Sequence, residues 1–397
     1  MTRRSMRLPV LGFIASRGLL VALTAAAINI LASKGDIALY SGWSDAIVDG
    51  AAPYSEIPIE YPPAVLPFLL GARVLAWGIH YRTAFVAVMA LVDVVGFAGL
   101  LLIGRRTGVS TGAWIWVLGV FLLGPIVYLR LDLIPAVATI WAIERAAAGG
   151  TGTSGGLFAF GVAAKLYPAV LMPAALLQSP RRARFVIGAA LVTALAIAPF
   201  VFSLGDLWNS VFGYHGGRGI QLESSWGAAL MIAARRGYEA SLEFSFGALH
   251  VRSAISPVLE TLSNVLSATV VVVGTWLVAR RTARGDAGNL AVGLYGILAL
   301  VMFTGSVLSP QFVVWLIALG AAGLCFRIPS ARTPLLLIVP IAALTQIEFP
   351  FNFGDLKEGE PGALLWLIAR NLLLLGAGVT ALMALRATAQ ERPLTEA

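Results

Sequence analysis

The chain reads as an all-α polytopic integral membrane protein, a single transmembrane domain over residues 1–397. Of its 397 residues, 58% are hydrophobic and 12% charged, with a mean hydropathy of +0.86. A soluble domain carries about 25% charged residues. Many apolar runs reach the roughly 18–20 residues that a helix needs to cross a bilayer. No series of short alternating segments, the mark of a membrane β-barrel, accompanies them.

The first apolar run, 8–32, is too long for a signal-peptide core and lacks a clear small-residue cleavage site, so it reads as a retained helix. Arg3, Arg4 and Arg7 precede it, which places the N-terminus in the cytoplasm by the positive-inside rule. Further spans are expected at 84–104, 111–129, 132–149, 184–203, 257–279, 287–304, 311–326, 333–349 and 361–385. Segments 61–79 and 153–178 are apolar but carry prolines or a charge. The arginines of the short loops, Arg105-Arg106, Arg181-Arg182, Arg184, Arg280-Arg281, Arg284, Arg327, Arg332 and Arg386, belong in the cytoplasm. Ten spans satisfy them all if 61–79 and 153–178 are re-entrant or interfacial. Twelve result if both cross, but Arg105-Arg106 then faces outside. Either count puts both termini inside and leaves four polar stretches outside: a first loop over 33–60, a large loop over 204–256, and 305–310 and 350–360. The glycine-rich run Gly149–Gly156 reads as a flexible turn between helices.

Several function classes drop out. The net charge of +8 comes from loop arginines that set orientation, so nucleic acid is not an expected partner; membrane lipids are. No Walker A pattern and no glycine-rich dinucleotide fingerprint is present, and no cofactor is expected. Cys325, the one cysteine, lies in an apolar run as a packing residue. His80 and His250 stand alone, and no His/Cys/Asp spacing reads as a zinc site.

The residues that could carry chemistry cluster outside the spans. Asp36, Asp45, Asp49, Glu56 and Glu60 place five carboxylates in the first outer loop. Asp36, where the first helix leaves the membrane, is placed to act as a base at the head-group level. Asp45 and Asp49 share one face of an expected short amphipathic helix over 41–50, with Trp43 and Ile47 nearer another face. Lys165 stands as a lone cation in an apolar segment, where a charge is a functional signal by default. Pro168 breaks or kinks that helix. Arg130 and Asp132 sit between two spans, as an ion pair or a helix end. His215, Arg218 and Glu223 fall in the large loop, with an arginine suited to phosphate. Ser309-Pro310-Gln311 opens a span, where polar groups can cap a helix.

At these residues the chain resembles glycosyltransferase family 87, membrane enzymes of the GT-C class that use polyprenyl-phosphate sugars. The likeness runs through Asp36 with Tyr40, Gly50-Ala51-Ala52-Pro53-Tyr54, Glu60-Tyr61-Pro62-Pro63, Lys165-Leu166-Tyr167-Pro168, and Arg218 with Gln221, Glu223 and Ser224. It ends at Ser309-Pro310-Gln311 with Trp315, so the matches span about 36–315 in the family's order. GPI mannosyltransferase I is a more distant likeness. The resemblance implies a GT-C-like fold of about 10–12 transmembrane helices with an outer-face active site. It implies an inverting transfer of a sugar, mannose first and arabinofuranose second, from a polyprenyl-phosphate donor to a glycolipid or polysaccharide acceptor. Asp36 would be the general base. Lys165, Arg218, Arg130 and His215 would hold the donor phosphate. Tyr40, Asp45, Tyr54, Glu60, Tyr61, Tyr167, Gln221, Glu223, Ser309 and Gln311 would bind substrate. One departure matters: Ile37 and Ala38 follow Asp36, so the acidic pair of some GT-C relatives is missing. A lipid or sugar transporter is the competing class. It would favour matching broken helices in two halves, and the halves show no clear similarity. An inert membrane scaffold is a third class.

The missing acidic pair predicts metal-independent chemistry. Sugar transfer should be unchanged in excess EDTA. Loss of activity that Mg²⁺ or Mn²⁺ restores would overturn that expectation.

Overall fold

The computed structural model describes residues 3–31, 35–213 and 218–390. Lys34 and His215 lie outside them. Almost all regular structure is helical. Among the described residues eight helices are long and apolar enough to cross a membrane: Arg7–Ala26, Tyr81–Thr107, Thr111–Tyr128, Arg182–Gly213, Ser256–Arg281, Ala287–Thr304, Pro329–Phe351 and Pro361–Leu385. The spans expected at 132–149 and 311–326 appear as shorter helices, Leu133–Ala147 and Val313–Leu324.

In chain order the helices begin with α1 (Arg3–Leu31), α2 (Asp36–Val48), α3 (Leu66–Leu75), α4 (Tyr81–Thr107) and α5 (Thr111–Leu123). Next come α6 (Leu133–Ala147), α7 (Thr151–Ala164), α8 (Met172–Gln178), α9 (Arg182–Ile197) and α10 (Leu204–Trp208). After these follow α11 (Ser225–Ala234), α12 (Ser256–Arg281), α13 (Ala287–Thr304) and α14 (Val313–Leu324). The chain closes with α15 (Pro329–Leu336), α16 (Ile338–Gln346), α17 (Phe353–Lys357) and α18 (Pro361–Gln390). α13 and α14 are buried along most of their length, whereas α9 and α12 expose Leu191, Leu195, Val265 and Val272. An apolar face turned outward fits lipid rather than water as its solvent.

The two ambiguous segments are interrupted or short. Segment 61–79 holds only a helical stretch from Pro63 to Leu75. Segment 153–178 is broken at Lys165, which is extended (φ −162°), and Pro168 sits in the following 3₁₀ turn. α7 has 14 residues, about 21 Å at 1.5 Å per residue, less than the ~30 Å hydrocarbon core.

Other expectations need correction. The helix foreseen at 41–50 starts at Asp36 and ends at Val48, leaving Asp49 as its C-cap. It buries Ile37, Tyr40, Trp43 and Ser44, a helical stripe that packs inward instead of floating at the surface. The helical path from Arg182 continues to Gly213, so the large polar loop starts after 213 rather than at 204. That loop folds: it holds α11 and an antiparallel hairpin, β1 (Ser241–Ser245) with β2 (Ala248–Arg252).

The glycine-rich run is also more than a turn. Gly149 has φ +79° and turns the chain, but α7 starts at Thr151 and uses Gly152, Gly155 and Gly156 for contact with α9. A Cβ on Gly188 would lie 1.9 Å from the Gly152 carbonyl oxygen, and one on Gly155 would lie 2.2 Å from that of Phe185. Small residues let membrane helices approach to backbone contact.

One polar hub pins the first helices together. The Asp93 carboxylate of α4 accepts from Arg17 Nε of α1 at 2.7 Å, from Trp116 Nε1 of α5 at 2.6 Å and from Tyr128 OH at 2.6 Å. Arg17 also donates to the carbonyls of Val117 and Trp116. Tyr128 ends the 3₁₀ turn Gly124–Tyr128, so this buried hub fixes the segment that carries Arg130 and Asp132.

Gly188→Val should force α7 and α9 apart. The expected loss is about 1–3 kcal/mol, the usual cost of overpacking, read as a lower Tm in detergent. An unchanged Tm would mean that the two backbones are not in contact.

Candidate active site

A cavity of about 640 Å³ opens among the segments that connect the helices. Ten of the residues singled out from sequence line it: Asp36, Glu60, Tyr61, Arg130, Lys165, Arg218, Gln221, Glu223, Ser309 and Gln311. They come from six separate stretches of chain, none adjacent in sequence.

Asp36 is the first residue of α2, after Gly35 as N-cap. A carboxylate in the first turn suits the positive end of the helix dipole. Across the cavity wall it pairs with Arg130. Asp132, two residues on, turns to Lys165 instead, and both its oxygens accept from the ammonium at 2.9 Å. The expectation of a lone Lys165 cation therefore fails, because Asp132 meets the charge. Three aromatic rings close around the same ammonium: Phe312 at 4.9 Å, Tyr61 at 5.2 Å and Trp315 at 5.5 Å. Ring faces attract cations, so Lys165 is held by an acid and an aromatic box together.

Four other candidates take supporting places outside the cavity lining. Tyr167 stacks on Trp315 at 4.0 Å and builds the wall of that box. Tyr40 is fully buried, with its hydroxyl 3.2 Å from that of Tyr61. Tyr54 has φ +73° and donates its hydroxyl to the Tyr61 carbonyl at 2.9 Å. A left-handed aromatic residue is a strained one, and here packing against Phe200 and the bond to Tyr61 hold it. Tyr40 and Tyr54 thus position Tyr61, which faces the cavity. Asp45 pairs with Arg73 at 2.6 Å on a half-exposed surface. His215 lies outside the described residues.

The far wall is the segment 218–224. It runs along β2, with Val251 N donating to Ile220 O at 2.7 Å and Leu222 N to Leu249 O at 2.9 Å. Gln221 and Ser309 bond to each other, Nε2 to Oγ at 2.9 Å. Ser309 therefore serves the wall and makes no side-chain cap for the helical turn it precedes. Ser224 does cap α11, its Oγ accepting from Gly227 N at 2.9 Å. Arg218 donates to Phe246 O in the hairpin turn, and Phe246 lies edge-on to His250. Burial, with Arg218 and Arg252 nearby, pushes the His250 imidazole down to about 4, so the ring is neutral at neutral pH.

Some cavity residues escaped sequence reasoning. Lys357 lines it, as do Phe244, Phe246, Phe349 and Phe353. Behind Glu223 lie Glu348 and Arg370, both fully buried. Both are charges inside runs expected to span, the same signal that singled out Lys165. Among the described residues no group of three or more His, Cys, Asp or Glu could hold a metal ion. The cavity can receive an anion beside a carboxylate, with polar groups for hydroxyls and aromatic faces for apolar or sugar-ring contact.

Neither a protein-family model nor a curated protein sequence matches this chain.

Asp132→Asn should strand the buried Lys165 ammonium and cost about 3–5 kcal/mol, as breaking one side of a buried pair does. Asp132→Asn with Lys165→Met should recover most of that loss. Thermal unfolding of both single variants and the double variant measures the coupling. Strictly additive losses would rule out the pair.

Proposed function

We propose that this chain is a GT-C-type membrane glycosyltransferase. It moves a sugar, mannose as the first expectation, from a polyprenyl-phosphate donor to a glycolipid or polysaccharide acceptor, with inversion. The observation that supports this most is the gathering of Asp36 with Arg130, Lys165, Arg218 and Lys357 in one cavity. A lipid-phosphate donor needs cations for its phosphate and one base for the acceptor, and no nucleotide site. The positive-inside rule, applied to the arginine-rich loops, puts the cavity on the outer side.

In this reading the acceptor hydroxyl attacks C1 of the sugar. Asp36 takes its proton. The bond from C1 to the phosphate oxygen breaks, and its electron pair leaves on the polyprenyl phosphate. The added negative charge falls among preorganised cations, which stabilise it more in a water-poor cavity than in bulk water. Arg130 links the two halves of the reaction. It pairs with Asp36, and the donor phosphate competes for its guanidinium, which frees the carboxylate to accept a proton. Lys165, already held by Asp132, contributes as a fixed positive pole. Gln221, Ser309 and Gln311 supply hydrogen bonds for hydroxyls, and Glu60 and Tyr61 form the wall between Lys165 and α2.

Asp36→Asn should leave folding and donor binding intact and reduce transfer by about 10²–10⁴-fold, the usual worth of a general base. Release of polyprenyl phosphate from a radiolabelled donor, with product formation, measures it. Near wild-type turnover would sink the assignment of Asp36. A carrier would move substrate without breaking the sugar–phosphate bond at all.

A further inference from the structure

Glu223, Glu348, Arg370 and Asn371 form a buried cluster with an odd charge count. Glu223 is 4% exposed and Asn371 3%, while Glu348 and Arg370 are fully enclosed. They come from three places: the 218–224 segment, the turn after α16, and α18. Arg370 Nη1 lies 3.2 Å from Glu348 Oε2, but without hydrogen-bond alignment. Arg370 Nη2 donates to the Glu223 backbone carbonyl at 2.6 Å, and so does Asn371 Nδ2 at 3.4 Å. Glu223 Oε2 and both oxygens of Glu348 are buried with no hydrogen-bond partner. Two carboxylates face one guanidinium. An unbalanced buried charge costs several kcal/mol, so the cluster needs one more positive charge.

We infer that a proton supplies it and sits on Glu223, so that at neutral pH Glu223 is a neutral carboxyl that donates a hydrogen bond to an anionic oxygen of the bound phosphate. Of the two acids, Glu223 is the one that reaches the cavity. Glu348 has Arg370 as its ion partner, whereas Arg370 meets Glu223 only through the backbone carbonyl. Burial first, and the Glu348 charge second, push the Glu223 carboxyl up to about 8. Gln221, Arg370 and Asn371 surround it; Arg218, Lys357 and Lys165 share its cavity, and His250 of β2 bridges to Gln221. With Glu223 neutral, the lining carries Arg130, Lys165, Arg218 and Lys357 against Asp36 and Glu60. An ionised Glu223 would add a like charge beside a phosphate. This role rests on the phosphate-donor reading above; the protonation itself does not.

The sign is definite. Below about pH 8 the proton is present and the anion binds; above it the proton is lost and binding weakens. Infrared difference spectroscopy on the full chain in detergent needs no substrate. It should show a protonated-carboxyl band at neutral pH that fades as pH rises through about 8 and is absent in Glu223→Gln. In Glu348→Gln, which removes the neighbouring charge, the band should fade at lower pH. No such band, or a band that survives in Glu223→Gln and vanishes in Glu348→Gln, would overturn the assignment. A midpoint that follows Na⁺ or K⁺ concentration would put a metal cation in the proton's place. Binding of a polyprenyl-phosphate sugar, whose phosphodiester keeps one charge throughout, gives the second arm. Wild-type affinity should fall about tenfold to a hundredfold above that pH, the worth of a charged hydrogen bond. Glu223→Gln should bind at all pH values without that fall. A pH-dependent fall retained in Glu223→Gln would remove the donor role. No binding at any pH would refute the phosphate-donor reading and this role with it, while the spectroscopic result would still stand.

Discussion

Charge buried among apolar helices has to be met by opposite charge from another segment, because an unpaired ion there costs several kcal/mol. In this protein that constraint sets which segments touch. Asp93 of α4 draws Arg17 from α1, the Trp116 indole from α5 and the Tyr128 hydroxyl from the turn that follows. Asp132 draws Lys165 across from the end of α7. Arg370 of α18 pairs with Glu348 and also holds the backbone of Glu223.

The segment 124–132 transmits this constraint to the cavity. Tyr128 anchors it to the Asp93 hub, Arg130 reaches Asp36, and Asp132 holds Lys165. Residues on this short stretch therefore tie α1, α2, α4 and α7 to one wall. The broken end of α7 is part of the same arrangement. Lys165 leaves the helix in an extended conformation, which turns its side chain to Asp132 and the aromatic box.

The opposite wall is made differently. Segment 218–224 lies beside β2 through backbone hydrogen bonds, and Gln221 is tied to Ser309 at the start of the next apolar helix. Phe246 and Gly247 of the hairpin turn also line the cavity. The hairpin ladder carries this wall, and Gln221 joins it to the bundle twice, its backbone N donating to Ser306 O at 2.9 Å and its side chain to Ser309 Oγ at 2.9 Å.

Much of this was legible in the chain alone. Apolar length marks membrane spans because the bilayer core has a fixed thickness, so most span boundaries follow from hydropathy. Asp36, Arg218 and Glu223 stood out as charged residues of the outer loops, with Arg suited to phosphate, and Lys165 and Arg130 because charge within or between apolar runs is costly and seldom incidental. The same rule applied to Glu348 and Arg370, which sat unnoticed inside runs read as plain spans. Pairing could not be read this way. Whether Lys165 meets an acid or a ligand, and whether Arg130 turns to Asp132 or to Asp36, depends on which helix ends come together, and no local pattern encodes that. Tyr40 and Tyr54 show the same limit: their place in a resemblance does not tell a wall from its support. Hydropathy and charge placement suffice to read the membrane class and the charged candidates. Their partners follow only from the packed fold, because a salt bridge is a distance between segments far apart in the chain.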